Sequence, residues 1–188
     1  MRRILVALVL CTAVLVASSI LAADTPLRDI DGVLHGHIER MSGVNWSVLF
    51  FLMTDCPIAN RYAPEIQRIC AEYGSKGARC FLVYADASET PAGVRKHVKE
   101  FGYKLPAVLD KDHALVRKTG ATVSSEAVVL SNTGELKYRG RIDNFHADLG
   151  TPRQRVTEHD LRDALDALAA GRAVSNPRTQ AIGCFIPE

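Results

Sequence analysis

Residues 46–53 (WSVLFFLM) form a continuous apolar run of strand length. Such a run reads as a strand buried on both faces, the kind found inside a mostly parallel sheet. The polar step Thr54-Asp55 ends it, and Cys56-Pro57 follows. Proline suits the first turn of a helix, where its missing N–H costs nothing. Ile58, Tyr62, Ile66, Ile69 and Tyr73 then recur at helical spacing. This predicts a helix over residues 58–73, capped by Gly74 and kinked at Pro64.

The same reading places a strand at residues 79–85 and a helix from Thr90-Pro91 to Phe101-Gly102. A strand at 105–109, a short helix at 112–118 and a strand at 127–130 follow. Asn132-Thr133-Gly134 turns the chain into a hairpin strand at 135–141. Residues 158–170 carry Leu161, Leu165 and Leu168 on one face, as an amphipathic helix does. Upstream, residues 24–45 are turn-rich, with a hairpin turn at Asp31-Gly32 and a short strand at 33–39. Alternating strands and helices predict an α/β fold, with a parallel sheet layered by helices and an antiparallel hairpin at one edge.

The N-terminus reads differently. Met1-Arg2-Arg3 precedes an apolar run reaching Ala23, which is the layout of a secretory signal cut near Ala22 or Ala23. The run is also long enough for an uncleaved membrane anchor. The predicted organisation is a leader at 1–23, one domain at 24–171 and a tail at 172–188. Removing Arg2 and Arg3 leaves 21 basic against 21 acidic residues. A neutral protein lacks the basic face that a nucleic-acid partner requires.

Loss of Cys11 with the leader leaves Cys56, Cys70, Cys80 and Cys184. Four cysteines allow three complete pairings, and the sequence does not choose among them. Cys70 and Cys80 end the first helix and begin the next strand, close enough to meet in a structural disulfide. Cys56 lies between a buried strand and the helix it feeds. There the unpaired N–H groups and the helix dipole favour the thiolate. Asp55, if close, opposes that effect.

The run FFLMTDCPIANRYAPEI resembles the active-site segment of thioredoxin-like redoxins, including the TlpA-like oxidoreductases and the alkyl hydroperoxide reductase/thiol-specific antioxidant group. Cys56 to Pro64 has the thioredoxin cysteine-to-proline spacing, and SSEAVVLSNTGELKYRGRID is similar to the redoxin strand-turn-strand pattern. The resemblance implies a thioredoxin-like fold: a central mixed sheet flanked by helices, with an N-terminal extension and a C-terminal tail. It also implies Cys56 as nucleophile.

Three features depart from the family. Ala59 stands where thioredoxins have their second cysteine, so no local CxxC disulfide forms. Ser125 stands where these proteins hold a cis proline. A cis bond before serine costs roughly 3 kcal/mol, so the loop is either trans or strained. Met53 and Leu49 stand where peroxiredoxins have Thr or Ser and Pro, with Thr54 one position off as a candidate substitute. A cycling Cys56 needs a resolving thiol. Cys184, in the apolar cluster Ala181-Ile182-Gly183-Cys184-Phe185, is the candidate, by likeness to peroxiredoxins that resolve from a tail. Gly183 permits close approach there. Tail anchoring alone is the competing reading.

Arg139 and Arg141 alternate along the last strand toward one face. Arg141 is a candidate for lowering the thiol pKa, against a solvated edge. His35 and His37 share a strand face but lack the further ligands that a metal site needs. His146 follows on a loop. There is no CxxCH haem site and no phosphate-binding glycine loop, so no cofactor or metal is assigned. The sequence therefore points to an exported thiol redox protein acting on protein thiols, disulfides or a peroxide, recharged by a thiol reductant. A redoxin-fold module that binds a metal such as copper, or an assembly factor without turnover, is the alternative.

Overall fold

The computed structural model describes residues 24–187. The leader assigned to residues 1–23 lies outside the described residues. Nine strands and five helices follow in the order β1 (Pro26–Arg28), β2 (Leu34–His37), β3 (Trp46–Leu52), α1 (Pro57–Arg61), α2 (Ala63–Gly74), β4 (Ala78–Tyr84), α3 (Pro91–Glu100), β5 (Ala107–Leu109), α4 (Ala114–Thr119), β6 (Ala127–Ser131), β7 (Leu136–Gly140), β8 (His146–Asp148), β9 (Thr151–Pro152) and α5 (Asp160–Ala169). The central sheet has the order β5-β4-β3-β6-β7. β3, β4 and β5 run parallel, and β6 and β7 add antiparallel.

β3 is the middle strand, which explains its unbroken apolar run. Val48, Phe50 and Leu52 face a core formed with Ile58, Ile66, Ile69, Val94, Leu161 and Leu165 of the helices. Leu49 and Phe51 face a second core with Leu27, Ile38 and Leu115. Alternate side chains of one strand thus serve both layers.

The predicted single helix after Cys56 is two helices, divided at Tyr62. Pro64 has no N–H to donate and sits in the first turn of α2, so the first helix ends and a second starts. Gly74 is the last residue of α2, and Ser75, in right-handed conformation, takes the capping position expected of the glycine. The hairpin β1–β2 turns at Asp31-Gly32, and Ile30 N–H donates to the carbonyl of Ala107, the first residue of β5 (2.8 Å). The small β8–β9 pair was not predicted: its strands are short and mostly exposed, so no apolar periodicity marks them.

Candidate active site

Cys56 caps α1 at the exit of β3, with extended backbone (φ −83°, ψ 108°) and no exposure to solvent. Its N–H donates to the carbonyl of Met53 (3.3 Å), and its carbonyl accepts from Asn60 N–H (3.0 Å). Thr54, two residues upstream, is held at both ends of its peptide. Its N–H donates to the buried Glu89 carboxylate (2.8 Å), and its carbonyl accepts from the Asn60 amide (3.1 Å).

A second chain segment lies against Cys56. Ser125 N–H donates to the carbonyl of Phe51 (2.6 Å), which fixes the 122–125 loop beside the end of β3. Among the described residues no peptide bond is cis, and Ser125 has φ +69°. The Ser125 loop is therefore trans and also strained, because a left-handed residue with a Cβ costs roughly 1–3 kcal/mol.

The tail packs onto this loop. It first runs along the open edge of β7. There Arg139 N–H donates to Pro177 O (3.0 Å), and Thr179 N–H to Arg139 O (3.1 Å). It then turns and pairs with 122–125, with Val123 opposite Phe185 in antiparallel sense. Ser124 N–H donates to Cys184 O (2.8 Å), Ile186 N–H to Thr122 O (3.0 Å) and Ser125 Oγ–H to Ile182 O (2.8 Å). Cys184 N–H donates to Ser124 Oγ (3.2 Å). Gly183 is required here: a Cβ on it would lie 1.8 Å from the Ser124 carbonyl oxygen.

This arrangement brings Cys184 against Cys56, the two free cysteines, close enough that each shifts the other's thiol. Cys70 and Cys80 are joined in a disulfide, as the bend between α2 and β4 suggests. Burial pushes the Cys56 thiol up, but hydrogen bonds from Cys184, Ser124 and the backbone of Ala59 more than offset it, and the net shift is down. Burial and donation of its own proton to Cys56 push Cys184 up to about 11. Asp55 is exposed, and its charge adds to the rise at Cys184.

Arg141 lies elsewhere: its guanidinium pairs with Asp160 (2.7 Å) and Glu158. Arg139 pairs with Glu126 (3.3 Å) and bonds the carbonyls ending α4. The two arginines thus tie the last strand to its neighbours instead of facing solvent. His35 bonds Asp29 (2.6 Å) and Arg79 (2.7 Å). His146 packs on Tyr62 and Phe145 without a hydrogen bond to either ring nitrogen. Among the described residues no three His, Cys, Asp or Glu cluster as a metal site does.

Ser124 and a buried chain behind Thr54 escaped the sequence reading. Tyr84 Oη meets His97 Nδ1 (2.8 Å), and His97 Nε2 meets Asn60 Oδ1 (2.7 Å). The Asn60 amide nitrogen donates to Thr54, so its oxygen accepts, and His97 carries its proton on Nε2. Burial holds His97 below the ordinary histidine range. One signal for it exists in the sequence: Val94 and His97 share the buried face of α3.

A five-stranded mixed sheet with Cys56 between its central strand and the next helix is a thioredoxin-like arrangement. The Redoxin family profile matches residues 43–151, and the chain belongs to that family. The thiol-disulfide oxidoreductase ResA of Halalkalibacterium halodurans is 25% identical over 88 residues, which is 47% of this chain and 49% of ResA. The chain thus spans about half the length of that curated relative. An uncharacterized conserved protein from Geobacillus kaustophilus superposes with a TM-score of 0.76 at 24% identity, covering 89% of both chains. StoA from Bacillus subtilis gives a TM-score of 0.54 at 21% identity, over 63% of this chain and 87% of StoA.

Proposed function

We propose that the protein is a thiol–disulfide oxidoreductase whose redox couple is Cys56 and Cys184. The observation that carries this reading is the contact of the two free thiols, with Ser124 bonded to both. In the couple Cys56 is the thiolate, because its neighbours donate to it, and Cys184 holds the proton. Cys56 is the nucleophile that closes the couple, and Cys184 is the resolving thiol that replaces the one missing at Ala59. Thr54 serves through its peptide group, which Glu89 and Asn60 hold in place. Arg141 has no chemical part, since its charge faces Asp160 and Glu158.

The substrates are protein thiols and disulfides, and a thiol partner recharges the couple. Export fits the N-terminal leader and the Cys70–Cys80 disulfide, a bond that persists in oxidising compartments. No helix among the described residues is long and apolar enough to cross a membrane.

Insulin-disulfide reduction by wild type, Cys56→Ser and Cys184→Ser, with peroxide consumption in parallel, tests this reading. Both variants should lose the exchange activity. A Cys184→Ser protein as active as wild type would remove Cys184 from the couple, and turnover confined to peroxide would remove disulfide exchange.

A further inference from the structure

We propose that a partner thiol opens the Cys56–Cys184 disulfide at the Cys184 sulfur, so that the mixed disulfide forms on the tail and Cys56 leaves as thiolate. This rests on the couple proposed above and adds the order of attack. Cys56 is 0% exposed and belongs to the helix-side core, with Met53, Ile58 and Ala59 in the same cluster. The tail covers it from the other side, held by four hydrogen bonds to residues 122–125. Cys184 is partly exposed on that cover.

Thiolate attack on a disulfide proceeds along the S–S axis, from the side opposite the leaving sulfur. A nucleophile reaching Cys184 in line comes from solvent and pushes the leaving sulfur inward. A nucleophile reaching Cys56 in line would have to come through the packed core. The leaving sulfur then matters: a thiol of lower pKa leaves faster. Cys56 departs into the Ser124 hydroxyl and the Ala59 N–H, which already donate to it.

The exchange balances. The partner thiolate bonds to the Cys184 sulfur as the Cys56–Cys184 bond breaks, and Cys56 takes the electron pair. The partner's second thiol gives up its proton and bonds to the partner's first sulfur, and Cys184 leaves with that electron pair and is protonated. A dithiol has become a disulfide, and the couple has gained two electrons. The partner is therefore a dithiol, such as a pair of cysteines in one protein. Run backwards, the same path has Cys56 thiolate attack Cys184 within the mixed disulfide.

The test uses the full chain, oxidised by diamide and then mixed briefly with reduced glutathione. Acid quenching and peptic mass mapping then locate the adduct. At the earliest times glutathione should sit on Cys184 in at least about tenfold excess over Cys56. In a second arm, Cys56→Ala and Cys184→Ala proteins react with iodoacetamide, with rates corrected for thiolate fraction. Cys184 should react faster than Cys56, again by about tenfold or more. An adduct mainly on Cys56, or faster alkylation of Cys56, overturns the order of attack and leaves the couple standing. If diamide never joins Cys56 to Cys184, the couple itself falls and this inference falls with it.

Discussion

Gly183→Ala is the sharpest probe of the tail, because the added methyl has nowhere to go. Its Cβ would lie 1.8 Å from the Ser124 oxygen and 2.9 Å from the Ser124 carbonyl carbon, both backbone atoms. Ser124 cannot retreat, because Ser125 N–H is bonded to Phe51 of the central strand (2.6 Å). The tail must therefore lift between residues 182 and 186. Four hydrogen bonds hold that stretch, at about 1 kcal/mol each, so the loss is bounded at about 4 kcal/mol. Losing two to three of them lowers the docking equilibrium constant by roughly thirty- to one-hundred-and-fifty-fold and raises the undocked fraction by about the same factor. Iodoacetamide alkylation of Cys56 and the rate of Cys56–Cys184 closure under diamide read this directly. Alkylation, which needs the undocked tail, should rise by that order, and closure should slow. The melting temperature should fall modestly, because the tail's pairing with β7 stays while Ile182, Cys184 and Ile186 leave the margins of the two cores. Phe185→Ala is the control, since this side chain is 78% exposed. Gly183→Ala indistinguishable from wild type in both rates would refute the docked tail.

Three further outcomes are expected. Cys184→Ala removes the first donor to Cys56, so the midpoint of Cys56 alkylation against pH should move upward, and an unmoved midpoint would show that Cys184 does not hold the thiolate. The Cys70→Ala/Cys80→Ala pair opens a bridge of sequence separation 10, so urea denaturation should show a loss of about 2–3 kcal/mol with Cys56 alkylation unchanged. His97 is held below its ordinary value, so the unfolded chain binds more protons as pH falls from the ordinary histidine value of 6.5 toward the folded one. Its contribution to stability is complete above 6.5 and is lost below it, by up to about 1.4 kcal/mol per pH unit, and urea titrations from pH 7.5 to 5 should show a shallower slope in His97→Gln.

The elements around Cys56 were legible because each rests on a local cause. β3 is apolar throughout because helices and hairpin cover both its faces, and Pro57 and Pro64 mark helix starts by their missing N–H. Gly183 was readable as a point of close approach. What it approaches was not, since Ser124 is distant in the chain and nothing in a serine announces a bond to a tail. Arg141 shows the same limit. Strand alternation gives the face it points to, but its partners Asp160 and Glu158 follow from how α5 packs on β7. The His97–Asn60 chain to Thr54 needed three elements to be placed before any of its bonds existed.

In the proposed couple, moving the second thiol from the position of Ala59 to a tail changes what governs the pair. In a CxxC motif one helical turn fixes the distance between sulfurs, so the pair stays together whatever the rest of the chain does. Here the distance is set by a strap of about five residues on four hydrogen bonds, a load of a few kcal/mol. The effective concentration of Cys184 at Cys56 is high while the strap is docked and falls to that of a loose chain end when it lifts. Oxidation therefore secures the strap covalently, whereas reduction returns it to those four bonds. The linkage is reciprocal: anything that lifts the tail weakens the disulfide, and reducing the disulfide eases the tail from the Ser124–Ser125 loop. Ser125 sits at that junction in left-handed conformation with its hydroxyl on Ile182. Replacing it with alanine would remove one strap bond and keep the strained backbone. Oxidised and reduced proteins should then differ more in protease sensitivity at residues 180–187 than wild type does. Equal sensitivity in both states would mean that the tail is held by something other than these contacts.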